Sequence, residues 1–178
     1  MEGSLKKAKK THIVGFTLIE DFLTDAEEAE LLRQIDASEW NTSLKRRTQH
    51  YGYEYNYTTK DASKAAPPIP EWCQFVIDRL NLSERPDQMI VNEYCSGQGI
   101  AAHIDNTKIF GDTIVSVSLG ATVTMDFSRK QEKQPVVLPR KSAVILKDDA
   151  RYQWFHGIST SAVKKGMRRV SLTFRKVK

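Results

Sequence analysis

From Met89 to the C-terminus, apolar and polar residues alternate in short runs separated by turn residues. Met89–Tyr94, Thr113–Leu119, Thr122–Phe127, Val136–Leu138, Ser142–Leu146 and Arg168–Lys176 each have the β-branched or period-two character of a strand. The N-terminal half is patterned differently. Ala26, Ala29, Leu32 and Ile35 recur at helical spacing behind Thr24, which forms a capping-box pattern with Glu27, so a helix is predicted from Asp25 to Ala37. Trp72, Cys73, Phe75, Val76, Ile77 and Leu80 mark the apolar side of a second helix that opens at Pro70 and ends near Asn81. Val14–Ile19 reads as a strand, the alternating tyrosines of 51–57 fit strand edges, and the polar, proline-bearing stretch 60–70 reads as a loop. Helices first and strands afterwards predict an α+β fold. Its strands close into a double-sheet barrel or jelly roll, and its helices pack on one sheet.

Alternation also fixes which side chains share a face. In the last strand Val170, Leu172 and Phe174 fall on one side, while Arg169, Ser171, Thr173 and Arg175 fall on the other. By itself that second row is an outward polar face. Turned into a barrel, it is costly unless it meets an anion, and arginine's planar fork suits a carboxylate. Asn92 and Tyr94 share a face in the same way, just ahead of Gly97 and Gly99, which permit a turn that delivers His103 and Asp105. Those two residues stand two apart, so extended backbone aims both at one cation. Of the three other histidines, His156 is the best candidate for a third ligand, whereas His50 has no carboxylate at ligand spacing and reads as a surface or substrate-side residue. Two imidazoles and one carboxylate, with open positions opposite, form the ligand set of non-haem Fe(II) oxygenases.

A length of 178 residues suits one domain, expected to span 13–178 behind a flexible basic arm at 1–12. The 40% hydrophobic content excludes general disorder, no apolar run approaches the roughly 20 residues of a membrane span, and no signal-peptide core precedes the first strand. A monomer in the cytoplasm or nucleus is expected. Cys73 and Cys95 cannot build a disulfide framework and read as reduced thiols, with Cys95 near enough to the candidate metal pair to be oxidation-prone. The net charge of +5 permits a polyanionic partner, with basic residues gathered at Lys6–Lys10, at Lys45–Arg47 and from Lys164 onward. Within Trp40–Tyr57, arginine and tyrosine together suit phosphate contact and base stacking; Arg47, Tyr51, Tyr53 and Tyr55 are the candidate substrate contacts, although half-buried hairpin tyrosines would give the same pattern.

Several of these motifs stand in one order. Asn92 with Tyr94, Gly97–Ile100, His103 with Asp105, Val117–Gly120, Leu138–Arg140, Ala150–Tyr152, His156–Ile158 and Arg169–Arg175 resemble the AlkB-like Fe(II)/2-oxoglutarate dioxygenases, particularly oxygenase modules that hydroxylate a modified wobble uridine in tRNA. The resemblance runs from Tyr51 to the C-terminus and implies a double-stranded β-helix, with His103, Asp105 and His156 binding iron. It implies further that Arg169 pairs with the far carboxylate of 2-oxoglutarate, that Asn92, Tyr94, Ser171 and Arg175 line the co-substrate pocket, and that Tyr51–Tyr57 belong to a nucleotide-recognition lid. In such enzymes O₂ and 2-oxoglutarate are consumed while a substrate C–H bond is hydroxylated. A methyl on nitrogen is then shed as formaldehyde, as in DNA repair by demethylation, whereas a carbon-bound side chain keeps its hydroxyl, as in RNA modification.

Two departures bear on substrate. Thr107 stands where the bacterial prototype has an acid that engages the base, and Lys147-Asp148-Asp149 replaces a glycine-containing turn. Recruitment is expected to rely on the chain's own basic surfaces or on a partner protein. Oxidation of a protein side chain and a catalytically silent nucleic-acid-binding module are the competing functional readings.

Overall fold

In the computed structural model, which describes residues 11–178, the chain begins with β1 (Phe16–Ile19), α1 (Asp25–Asp36), β2 (Thr48–Tyr51), β3 (Tyr53–Asn56) and β4 (Asp61–Ala65). A 3₁₀ turn (Glu71–Cys73) leads into α2 (Gln74–Leu80), followed by β5 (Gln88–Cys95), β6 (Ile100–His103), β7 (Ile114–Leu119) and β8 (Val123–Arg129). The chain closes with β9 (Glu132–Leu138), β10 (Ala143–Leu146), α3 (Asp148–Tyr152), β11 (Phe155–Ile158) and β12 (Arg168–Arg175). The basic run Lys6–Lys10 of the expected arm lies outside the described residues.

Six strands form the larger sheet in the order β1-β10-β7-β12-β5-β2, and four form the smaller one in the order β6-β11-β8-β9. This is the expected jelly roll, with β3 and β4 as a separate hairpin. Period-two patterning gives the larger sheet two different faces. Its outer face supplies Met89, Val91, Val115, Val117, Val170, Leu172 and Phe174 to a core shared with Leu31 and Ile35 of α1 and Val76, Ile77 and Leu80 of α2. Its inner face joins a second core, between the sheets, that includes Phe127 and Met125 of β8, Leu138 of β9 and Trp154.

α1 forms where expected because Thr24 and Glu27 make the full reciprocal capping box. The buried face differs from the expected one: Glu28, Leu31 and Ile35 are buried, whereas Ala26 and Ala29 are exposed. The rotation follows from Glu28, whose carboxylate is covered while it pairs with Arg140 and accepts the Gly120 N–H at 3.0 Å. A buried carboxylate is tolerable only with such partners. Gly120 itself has φ +81, and a Cβ there would lie 2.5 Å from the Arg168 carbonyl oxygen, so the β7–β8 turn requires glycine.

Other departures have similar local causes. Pro70 precedes a 3₁₀ turn instead of opening the α-helix, while Asn81 stops α2 in the left-handed region at φ 47. Stretch 60–70 is no simple loop, since Asp61–Ala65 pairs antiparallel with β3. β9 starts at Glu132, four residues before the expected Val136, and tolerates Pro135 because it is an edge strand with β8 as its one neighbour. No described helix is long and apolar enough to cross a membrane.

Candidate metal centre and co-substrate pocket

β6 carries His103 and β11 carries His156, and the two residues are cross-strand partners. Pairing directly opposite brings their ring centroids to 4.5 Å. The path into β6 depends on two glycines for different reasons. Gly97 takes φ +82, and a Cβ on Gly99 would come within 2.2 Å of the Ile158 carbonyl oxygen of β11. Asp105 follows β6 by two residues. One ligand atom from each of His103, Asp105 and His156 lies within 4.8 Å of the others.

Asp105 and His156 are held in the state a cation needs, and a backbone hydrogen bond selects which nitrogen His103 presents. His103 Nδ1 lies 2.9 Å from the Ala101 carbonyl and donates to it, which leaves Nε2 as the free lone pair, 3.6 Å from Asp105 Oδ1. That separation is too long for a hydrogen bond and suits two donors sharing one ion. Burial works to raise the Asp105 pKa. It is outweighed by the Arg175 guanidinium, by His103 and by His156, which together hold the carboxyl well below its usual range. Burial pushes His156 down to about 4, so its ring is neutral near pH 7 and able to ligate. Burial also opposes charge on His103, but the adjacent Asp105 carries its pKa above the ordinary value.

The row on β12 faces inward. Arg169 pairs across the ladder with Tyr94, Ser171 with Asn92, and Arg175 with Gln88. Arg175 Nη2 lies 3.3 Å from Asp105 Oδ1, and its guanidinium stands 4.5 Å from the centre of the Phe110 ring. Arg169 is 1% exposed and has no carboxylate beside it. Its Nη2 donates to Ser118 Oγ at 2.9 Å, its guanidinium lies over the Tyr94 ring at 5.5 Å, and its Nε has no protein partner. Arg175 Nε and His156 Nδ1 are likewise buried and unpartnered. Burying a guanidinium without an anion costs several kcal/mol. A bound dicarboxylate beside a cation would satisfy this donor set, so the residues fit both groups.

A cavity of about 500 Å³ opens over His103 and Asp105. His103, Asp105, Asn92, Arg175 and Phe110 line its inner part, and Arg46, Tyr55, Tyr57 and Lys60 line its mouth. Of the expected substrate contacts, Tyr55 lies here. Arg47 does not: it forks onto Glu93 at 2.8 and 2.9 Å and stacks on Trp40 at 4.6 Å, on the outer face. Arg46, in the bend just before β2, is the one that turns inward, donating from Nε to Asn92 Oδ1 at 3.2 Å. Tyr51 is also an outer-face residue, edge-on to Trp72 and donating to Gln49. Tyr53 lines a different surface cleft, with Gly52 and Ala65. His50 stands outside the triad, with Nδ1 accepting the Tyr55 N–H at 3.2 Å.

The sequence reading gave no role to Arg151. It is buried on α3 and donates to the carbonyls of Asp105, Asn106, Phe110 and Gly111, which pins the segment that carries the metal aspartate. Its position four residues before β11 was visible, but α3 was not. Nothing in the spacing announces a turn of helix there.

A jelly roll with two imidazoles and a carboxylate at its open end, backed by buried arginines, defines a non-haem iron oxygenase that uses an anionic co-substrate. The chain belongs to the 2OG-Fe(II) oxygenase superfamily, whose family model matches residues 15–175, and Fe(II), 2-oxoglutarate and O₂ are therefore its metal, co-substrate and oxidant. It is 34% identical to the uncharacterized protein L905 of Acanthamoeba polyphaga mimivirus, over 99% of this chain and 91% of that protein. It is 34% identical to the mouse tRNA (carboxymethyluridine(34)-5-O)-methyltransferase ALKBH8, over 92% of this chain but 30% of that one. With a Caenorhabditis elegans DNA N6-methyl adenine demethylase it shares 30% identity, over 92% of this chain and 60% of the relative. The solved structure of OsALKBH1 superposes with a TM-score of 0.67 at 19% identity, covering 91% of this chain and 96% of that one, which shows a shared fold.

Proposed function

We propose that this oxygenase oxidises a base in nucleic acid, either hydroxylating a modified tRNA base or demethylating an alkylated one. The observation that carries the reading is the cavity mouth, where Tyr55, Tyr57, Arg46 and Lys60 stand together beside the triad. Aromatic rings next to cations suit an unstacked base and its phosphate. The kinship supports it too, since one relative is named for a wobble-position uridine derivative and another for methylated adenine in DNA.

His103, Asp105 and His156 hold the iron. Bound there, it supplies the coupled oxidation in which one oxygen atom of O₂ enters a substrate C–H bond, the other enters succinate, and CO₂ leaves. The protein's own residues set the geometry. Arg169, with Ser171 and Tyr94 on the same inward face, receives the far carboxylate of 2-oxoglutarate. Arg175 keeps Asp105 ionised and aimed, and Arg151 fixes the backbone on which Asp105 sits. Tyr55 and Phe110, whose rings lie 5.8 Å apart, give the cavity an apolar wall beside His103 and Asp105. Residues 13–178 act as one catalytic domain, as a monomer in the cytoplasm or nucleus, with a partner protein or the basic surfaces bringing substrate.

The test is incubation with Fe(II), 2-oxoglutarate, O₂, total tRNA and methylated oligonucleotides, followed by nucleoside mass spectrometry. A gain of one oxygen marks hydroxylation, and loss of a methyl with formaldehyde marks demethylation. Unchanged nucleosides together with substrate-stimulated succinate from a protein extract would replace this reading with protein side-chain oxidation.

A further inference from the structure

The bend that brings Arg46 to the cavity mouth is fastened to β5 residue by residue. The Glu93 N–H donates to the Arg47 carbonyl at 3.0 Å, and side chains supply the remaining ties. Arg47 forks onto Glu93, Arg46 is anchored on Asn92, and the Lys45 carbonyl accepts a hydrogen bond from Gln98 Nε2 at 2.9 Å. Gln98 stands between Gly97 and Gly99, in the turn that leads from β5 into β6 and His103. That turn is closed twice. The Gln98 N–H donates to the Cys95 carbonyl at 3.0 Å, and the Cys95 N–H donates to Gln98 Oε1 at 2.9 Å.

The oxygen end of the Gln98 amide is therefore committed to the turn, which aims its NH₂ end at Lys45. With one donor and one acceptor as partners, the reversed amide would set like groups together at both ends. Among the described residues, Gln98 is the one side chain bonded to the Lys45 backbone, and it reaches there across 53 positions of chain.

We propose that Gln98 is a positioning residue, whose amide closes the turn into β6 and at the same time tethers Lys45–Arg47, so that Arg46 at the mouth keeps a fixed relation to the strand that carries His103. The physical reason is ordering. Residues 43–46 lie in bends outside the strand ladder, and an arginine on a loose bend would have to be ordered by the substrate itself, at the expense of affinity. The tether does that ordering beforehand. Its effect on substrate rests on the nucleobase reading above, whereas the tether itself does not. The co-substrate pocket lies on β12 and β5, so 2-oxoglutarate should not feel the loss.

The test uses protein loaded with Mn(II) and 2-oxoglutarate, as wild type, Gln98→Met and Gln98→Glu. Methionine matches the length and makes neither bond. Glutamate keeps the acceptor for the Cys95 N–H and sets a carboxylate against the Lys45 carbonyl. Trypsin reads the tether directly, because Lys45, Arg46 and Arg47 are its cleavage sites, and high salt screens the new charge during digestion. Both variants are expected to be cut there about two- to tenfold faster than wild type, the yield of one lost neutral hydrogen bond. Affinity of Gln98→Met for a fluorescein-labelled single-stranded RNA, read by anisotropy, should fall about two- to tenfold, with 2-oxoglutarate affinity by calorimetry unchanged. A Gln98→Glu protein that resists trypsin as the wild type does would show that the turn bond alone accounts for Gln98, and would overturn the tether. Equal losses of RNA and 2-oxoglutarate affinity in Gln98→Met would overturn the positioning role in favour of general support of the fold. A wild type that binds no RNA, with both variants cut faster, would instead remove the nucleobase reading and leave the tether standing.

Discussion

The two faces of β12 share one backbone and have opposite tasks. Val170, Leu172 and Phe174 are at most 1% exposed and pack under the helices, where their surroundings are apolar and complete. Arg169, Ser171 and Arg175 are almost as buried, yet Arg169 and Arg175 each keep an unpartnered Nε. One face is a finished core, and the other is a core finished by a ligand. A single strand thus carries stability and function on alternate residues, so substitutions one position apart are expected to fail in different ways.

The largest separation is expected at the metal. Asp105→Ala removes a ligand and leaves Arg175 facing none, so metal affinity should fall by more than the roughly 10–100-fold cost of losing an outer partner, and turnover with it. Metal titration of the purified variant checks this, and retained iron-dependent succinate formation would contradict the triad. Arg169→Met comes next. Loss of the anion's partner should weaken 2-oxoglutarate binding by about 2–5 kcal/mol, measured by calorimetry, while the melting temperature holds or rises because a buried unpaired charge has gone. A variant that unfolds but still binds 2-oxoglutarate would reverse the assignment of the two faces.

Leu172→Ala on the opposite face should cost about 2–5 kcal/mol in denaturant unfolding and leave 2-oxoglutarate affinity per folded molecule within about twofold. Equal losses in both measurements would mean that the faces are not separable. The smallest effect belongs to the exposed surface. Glu27 pairs with Arg79 and caps α1, and these hydrogen bonds bring its pKa down from 4.5 to about 2. A folded pKa below the unfolded one means stability that is present above pH 4.5 and lost as the pH falls toward 2. Because the pair is largely solvated, Glu27→Gln should remove no more than about 1 kcal/mol of that slope in acid melts.

Alternation and caps act over a few residues, and at that range the chain is unambiguous. The capping box of α1, the strands β5, β7, β8 and β12, the sharing of one face by Arg169, Ser171 and Arg175 and the spacing of His103 and Asp105 follow from neighbours alone. Which of two adjacent arginines enters the cavity does not. Arg46 and Arg47 are locally equivalent, and the choice is made by Asn92 on one side of β5 and Glu93 on the other. In the same way Tyr51 and Tyr55 belong to one aromatic run, but the first packs against Trp72 in the helix layer while the second faces the triad. Glu28, outside the apolar set that helical spacing picks out, is buried because Arg140 and Gly120 reach it from more than 90 residues away. Period and spacing decide which side chains share a face; contacts between distant segments decide what that face meets, since burial and pairing depend on neighbours that only folding supplies.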